Sequence, residues 1–487
     1  MGSATNASNT ALSLQVGTTY YVSVQAFDSL GNTSPPACSD GIEVTAAPGG
    51  GGGGGGSGNM QSVVGQWGIT WQFDHAYQVG QFCNGDWWVV GPVHIVSISP
   101  PTQNVSGRTI NGSMINPDTT GMNGYDSTLY GQYATSTRQY STSLNVALGV
   151  SPINHLVLQP STSLISCISQ MTPAANGSAS EIATAAVLTV LATAPPADAF
   201  RPPYAGTDKT IRHRESDLDY NALADLPPVS GAPSLSSTAN EFARVWLDHC
   251  AHWTSGHIHP VQNMPSYYRD FTSWTGTAGL LLNSNFSNAQ KRDLLVRFVQ
   301  VGIDWYGNIQ AGAIWGVNGH CNGRKFPILF AGKVLNDAGM LAVGTQHPLQ
   351  FYGPDNPANR PPVFSEDGQV FYVAQTSPGV YNWGYGGYTA TNLGMPEWGN
   401  FHAEGGSQGI SSDNVLWDAN SYRRCCSANG WVGTTLTMRA MGLQSAWNNP
   451  AFFDYMDRYV QIEPDGEWTE SWVSWHADMW RAYRSQL

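Results

Sequence analysis

The sequence predicts a multidomain β + α chain. A partial β piece comes first, then a β-sandwich-type domain, then a C-terminal α/α toroid or partial toroid. Three observations lead there. The glycine run Gly49–Gly56, continued by Ser57-Gly58, cannot pack and separates two regions of ordinary composition. From Gln61 to about Pro228, apolar residues alternate or form short runs between turn residues. From about Ser237 they recur at helical spacing. The 487 residues therefore divide into a β segment at 1–48, a linker at 49–59, a β-rich domain at 60–228 and a helical domain at 229–487.

In the first segment Tyr20, Val22, Val24 and Ala26 alternate on one strand face, residues 29–36 turn the chain, and Gly41 to Ala46 reads as a second strand. This resembles the last strands of a fibronectin type III domain, with Tyr20 where that family carries its tyrosine corner, and only about half of such a domain is present. In the β-rich part, strands are predicted at Ile69–Phe73, Trp87–Val90, Val93–Ile98, Leu164–Ile168 and Val187–Ala192. Pro100-Pro101, Asn111-Gly112 and Asn123-Gly124 turn the chain between them, which reads as an antiparallel domain. Pro195–Ser237, rich in Pro, Ala and Asp, reads as a crossing linker.

Helical spacing begins with Phe242, Val245, Trp246 and His249. Ser287 followed by Gln290 forms a capping box that opens a helix through Leu294, Leu295, Phe298, Val299 and Ile303. Further helices are predicted at Phe326–Leu335, Asn429–Met441, Pro450–Val460 and His476–Arg484.

Composition narrows the function. Charged residues make up 11% of the chain, well below the ~25% usual for soluble domains, and Gly, Ser, Thr and Asn take their place, as in extracellular proteins. A net charge of −13 argues against a nucleic-acid partner, which needs a basic face. No apolar run reaches the ~18 residues of a membrane span. No signal peptide is visible, and the opening Met1-Gly2-Ser3 reads as a cut start of a secreted or cell-surface protein. The seven cysteines have no metal-binding spacing, and their odd number forbids complete internal pairing. The abundance of aromatics, 18 of them Trp, suits both large cores and the stacking of sugar rings.

Three clusters carry candidate chemistry. Trp315–Pro327 places His320, Asn322, Arg324 and Lys325 between glycines at a helix start. An imidazole, an amide and a cation together can hold a carboxylate while a proton moves; the alternative is a capped turn. Glu397, Trp398, Asn400, His402 and Glu404 follow an aromatic run of Tyr381, Trp383, Tyr385 and Tyr388, which binds a ligand or forms a core under a loop. His249, His252, His257 and His259 precede Tyr267, Tyr268 and Arg269, and the HxH of 257 and 259 is weak as a metal signal. No metal or other cofactor is expected. Asp304, Glu366, Asp367, Glu397, Glu404, Asp413 and Asp418 include candidates for an acid–base pair. Nothing matches a nucleophile elbow, a P-loop or a dinucleotide fingerprint.

Gln81-Phe82 with Asn84–Pro92, Gly319-His320 with Arg324–Gly332, and Arg424–Asn429 together resemble secreted bacterial α/α-toroid polysaccharide lyases, and among them polysaccharide lyase family 38, which acts on alginate or glucuronan. Such lyases commonly place the barrel before the β-domain, the reverse of the order here. The resemblance implies β-elimination on an acidic polysaccharide. The sugar carboxylate must be neutralised before C5 gives up its proton, and a base and an acid must then move protons. In this reading His320, Asn322 and Arg324 hold the carboxylate, and Tyr268 transfers the proton with Tyr385 and Tyr388 as rivals. His402 assists or acts as base, and Trp383 and Trp398 stack on sugars. Lys325, Asn400, His257 and His259 complete the substrate contacts. A glycoside hydrolase on the same toroid and a non-catalytic glycan-binding or adhesion protein are the alternatives.

Overall fold

The computed structural model describes residues 59–119, 121–128, 140–171, 181–249, 258–265, 268–315, 322–347, 363–382, 387–398, 427–463 and 472–487, together with four two-residue strands near the N-terminus. The chain divides into two compact units, Met1–Ser57 and Gly58–Leu487. In the first, β1 (Thr19–Tyr20) pairs antiparallel with β4 (Ile42–Glu43) and β2 (Ser23–Val24) with β3 (Ala37–Cys38).

The second unit opens with β5 (Asn59–Gln66), β6 (Ile69–Gln81), β7 (Trp87–Val90) and β8 (Val93–Ser99). A small hairpin, β9 (Gln103–Val105) with β10 (Arg108–Ile110), follows, then β11 (Ser113–Ile115), β12 (Leu156–Leu158), β13 (Thr162–Ser169) and β14 (Ile182–Leu191). Apart from the hairpin these strands join one eight-stranded sheet in the order β11-β13-β14-β7-β6-β8-β12, with β5 also on β6. Where the sequence predicts an antiparallel sandwich, the structure has a single mixed, curled sheet, because β14 runs parallel to β7. The curl follows from β6. Its first residues pair with β8 and its last with β7, and bulges in β5 and β6 bend the strands between.

The two faces of β13 and β14 explain why these strands read as continuous apolar runs. Leu164, Ala186, Leu188 and Val190 point into the curl with Trp71, Phe73, Val89 and Ile95. Ile165, Cys167, Ala185 and Val187 point the other way and pack on Tyr204, Val245, Leu247 and Ile258. A strand covered on both faces loses its alternation.

The C-terminal half is helical: α1 (Leu235–Glu241), α2 (Tyr268–Leu282), α3 (Asn288–Gln310), α4 (Lys325–Val334), α5 (Ala338–Leu341), α6 (Val343–Gln346), α7 (Asn429–Ala440), α8 (Gln444–Trp447), α9 (Pro450–Ile462) and α10 (Ser474–Tyr483). Short strand pairs, β15 (Val370–Tyr372) with β18 (Pro396–Trp398) and β16 (Gln375–Ser377) with β17 (Val380–Tyr381), lie among them. The Ser287–Gln290 capping box opens α3, with the Ser287 hydroxyl accepting from the Gln290 amide. α3 and α4 approach closely at Gly302, where a Cβ would lie 2.3 Å from the Pro327 carbonyl oxygen. α2 packs on α7, and α4 on α3. Among the described residues no helix is long and apolar enough to cross a membrane.

The helix predicted across 242–249 is not there. The chain leaves α1 at Glu241 and continues irregularly, with Trp246 buried in the helical core and its neighbours Val245 and Leu247 buried against the sheet. The segment is a wall between two cores, and that demand for apolar residues on both sides imitates a helical stripe. The stretch read as a crossing linker is also built in. Arg201 is fully buried, its Nε donating to Asp86 at 2.6 Å and its Nη2 to Asp304 at 2.6 Å. One guanidinium thereby ties the turn before β7 to the middle of α3.

Candidate active site

The start of α4 and the short loop before it place three of the sequence-predicted residues together. Gly323 precedes it with φ +90°, and a Cβ there would meet the Thr272 backbone nitrogen of α2 at 2.8 Å. Only glycine fits so close an approach with a left-handed backbone. That fit presses residues 322–325 onto α2.

Arg324 turns inward. Its Nε donates to Asp248 Oδ2 at 2.7 Å and its Nη1 to the Asn322 carbonyl at 2.6 Å. The guanidinium lies over the Phe271 ring at 4.2 Å. His259 Nε2 donates to the other Asp248 oxygen at 3.1 Å, which makes it the protonated ring nitrogen. Burial alone raises the Asp248 carboxyl, but Arg324 and His259 outweigh it and leave the group below its ordinary value. Burial pulls His259 below its ordinary value, so it stands neutral near pH 7.

Lys325 is also interior. Its Nζ donates to both Asp367 oxygens at 2.7 Å and to the Trp447 carbonyl. The Asn322 side chain accepts from Gln369 Nε2 at 2.7 Å, and the Gln369 carbonyl oxygen accepts from Ser427 and from the Trp398 indole. Next to this network the Gly323 amide donates to Glu366 Oε1 at 2.6 Å. Glu366 is buried, its Oε2 lacks a hydrogen-bond partner, and burial pushes its pKa up to about 7. A carboxyl near neutrality can take and return a proton, which makes Glu366 the group best suited to acid–base chemistry here.

His249 lies deeper, between the edges of Tyr125 and Tyr204. Neither of its ring nitrogens has a hydrogen-bond partner, and burial pulls its pKa down to about 4.

The structure thus brings Asn322, Arg324, Lys325 and His259 into one buried polar knot, while the residues of the aromatic run that it describes lie elsewhere. Trp398 is a core residue on β18, fully buried, so the expectation that it stacks on sugar is corrected. Tyr388 is buried in a small cluster with Phe371 and Val373. Tyr268 opens α2, and its side chain lies outside the described residues, as do His257, His320, Trp383, Tyr385, Asn400 and His402.

Sequence reasoning missed Asp248, the carboxylate on which the knot turns. Leu247 and His249 gave no pattern to single it out; only the fold shows that Asp248 meets a cation 76 residues away.

A groove of about 650 Å³ runs elsewhere, between residues 200–213 and α3, lined among others by Arg212, His213, Tyr306 and Asp337. None of the knot residues lines it. No family model matches the chain, and neither does any curated protein or solved structure.

Proposed function

We propose that the chain is a secreted carbohydrate-active enzyme, and that its reaction is β-elimination on a uronic-acid polysaccharide such as alginate or glucuronan. The helices form an α/α toroid or partial toroid in this proposal, a reading that the α2–α7 and α3–α4 pairings support. One observation carries it: a carboxyl held near neutrality lies against the start of α4, where two buried ion pairs fix residues 322–325 in place.

The roles differ from a direct clamp. Arg324 and Lys325 are engaged by Asp248 and Asp367, so they hold residues 322–325 in place rather than grip substrate. Substrate contact falls to His320, His402, Trp383, Tyr385 and Asn400, and Tyr268 is the candidate for proton transfer to and from the sugar, while Glu366, buried in the knot, holds a proton without touching substrate. Neutralising the substrate carboxylate acidifies the C5 proton; a base takes it, the C4–O bond breaks as the C4–C5 double bond forms, and an acid gives the leaving oxygen its proton.

Glu366 also favours a second reading. It adjoins Asp367, whose carboxyl burial likewise raises against the pull of Lys325, and a protonated acid beside a second carboxyl is the equipment of a glycoside hydrolase. Product analysis separates the two. Elimination leaves a C4–C5 double bond that absorbs ultraviolet light, and hydrolysis does not. New reducing ends without that absorbance exclude the lyase, and saturable binding with neither excludes both.

A further inference from the structure

On the solvent face of the sheet, β6 and β8 and the residue just before β12 each present one metal-binding side chain. Phe73 pairs with Ile95, so the next residues along, Asp74 on β6 and His94 on β8, face each other across the strands. His94 in turn pairs with Val157 on β12, and His155 stands two residues before it on the same face. The opposite face carries Phe73, Val93, Ile95 and Leu158 into the core, which fixes the side on which the polar residues emerge.

The ligand atoms converge. His155 Nδ1 lies 3.5 Å from His94 Nδ1, and His94 Nδ1 lies 3.9 Å from Asp74 Oδ2. One oxygen or nitrogen from each of the three residues falls within 4.8 Å of the others. Two nitrogens bound at about 2.0–2.1 Å to a tetrahedral zinc are about 3.4 Å apart, close to the separation found here.

The groups behind the ligands hold them in this pose. His155 Nε2 lies 2.9 Å from the Pro152 carbonyl, which can only accept, so Nε2 carries the proton and Nδ1 turns its lone pair toward His94. Asp74 Oδ1 accepts from Tyr77 at 3.0 Å and lies 2.8 Å from His75 Nδ1, which leaves Oδ2 facing His94. A carbonyl behind a histidine and donors behind a carboxylate are the supports that orient metal ligands.

We propose that Asp74, His94 and His155 bind one divalent transition metal of the zinc class, with the fourth position open to solvent, and so clamp β6 and β8 to the segment that enters β12. Two imidazoles and one carboxylate suit zinc and its neighbours rather than calcium or magnesium, which take oxygen ligands.

The test uses the full chain, freed of metal by chelator, and titrates Zn²⁺ calorimetrically, with Ca²⁺ as control. One equivalent of zinc binds the wild type, and His94→Ala and His155→Ala each weaken binding at least tenfold. Both positions are on the surface, and matching circular dichroism confirms that the variants fold. Should a variant misfold, Co²⁺ added to the wild type gives the visible bands of a histidine-ligated tetrahedral site. Absence of zinc binding by the wild type, variants within tenfold of it, or a cobalt spectrum of the hexaaquo ion would each overturn the assignment.

Discussion

Arg324 and Asp248 meet in the protein interior with neither side chain exposed, Nε to Oδ2 at 2.7 Å. The pair joins the start of α4 to the wall segment between the two cores. Removing one partner of a buried pair leaves an uncompensated charge, at a cost of about 3–5 kcal/mol. Arg324→Met should lower the urea midpoint accordingly. The double variant with Asp248→Leu should regain only part of the loss, because apolar groups then replace the pair but the buried His259 Nε2–H loses its acceptor.

Arg201 extends the same logic to the junction of sheet and helices. Arg201→Met leaves Asp86 and Asp304 facing each other without a cation. A loss of about 3–5 kcal/mol in chemical denaturation is expected. Near-UV circular dichroism should also change, since Tyr204 and the α3 aromatics pack beside the triad.

Glu366 predicts a pH signature. Its pKa rises from an ordinary 4.5 to about 7 in the folded protein. Between those values the folded state keeps a proton that the unfolded state has released, so stability falls as pH rises through the window. The full effect is on the order of 3 kcal/mol, at about 1.4 kcal/mol per pKa unit. Glu366→Gln holds no such proton, so it should be more stable than the wild type at pH 8 relative to pH 5, as read from thermal or urea melts at both values. His249 acts in the opposite direction. Its folded pKa of about 4 makes stability fall as pH drops below 6.5, in the variant and the wild type alike.

Gly323 is a fourth point of test. Gly323→Ala forces a Cβ onto Thr272 in a left-handed backbone and should cost about 2 kcal/mol or more, as read by urea midpoint.

Local signals made much of the fold legible. The Ser287–Gln290 box marked the start of α3, and the runs at Trp87–Val90 and Val93–Ile98 marked β7 and most of β8. Features that depend on what covers a residue were hidden. Residues 242–249 look helical because two cores claim them, and Trp398 looks like a sugar platform although its side chain is part of the helical core. The cluster at 322–325 stood out through its own residue types, whereas Asp248 required the fold. Asp74, His94 and His155 are scattered along the chain, and only strand register brings them together.

If the proposed elimination takes place, ultraviolet absorbance of alginate or glucuronan, incubated side by side with the wild type and with folded Tyr268→Phe, reads it out. Absorbance should rise with the wild type on one of the two polymers and fall by about 10²–10⁴-fold in the variant, the usual share of an acid–base group. Shortened polymer without absorbance, or a variant as fast as the wild type, would rule out the proposed elimination.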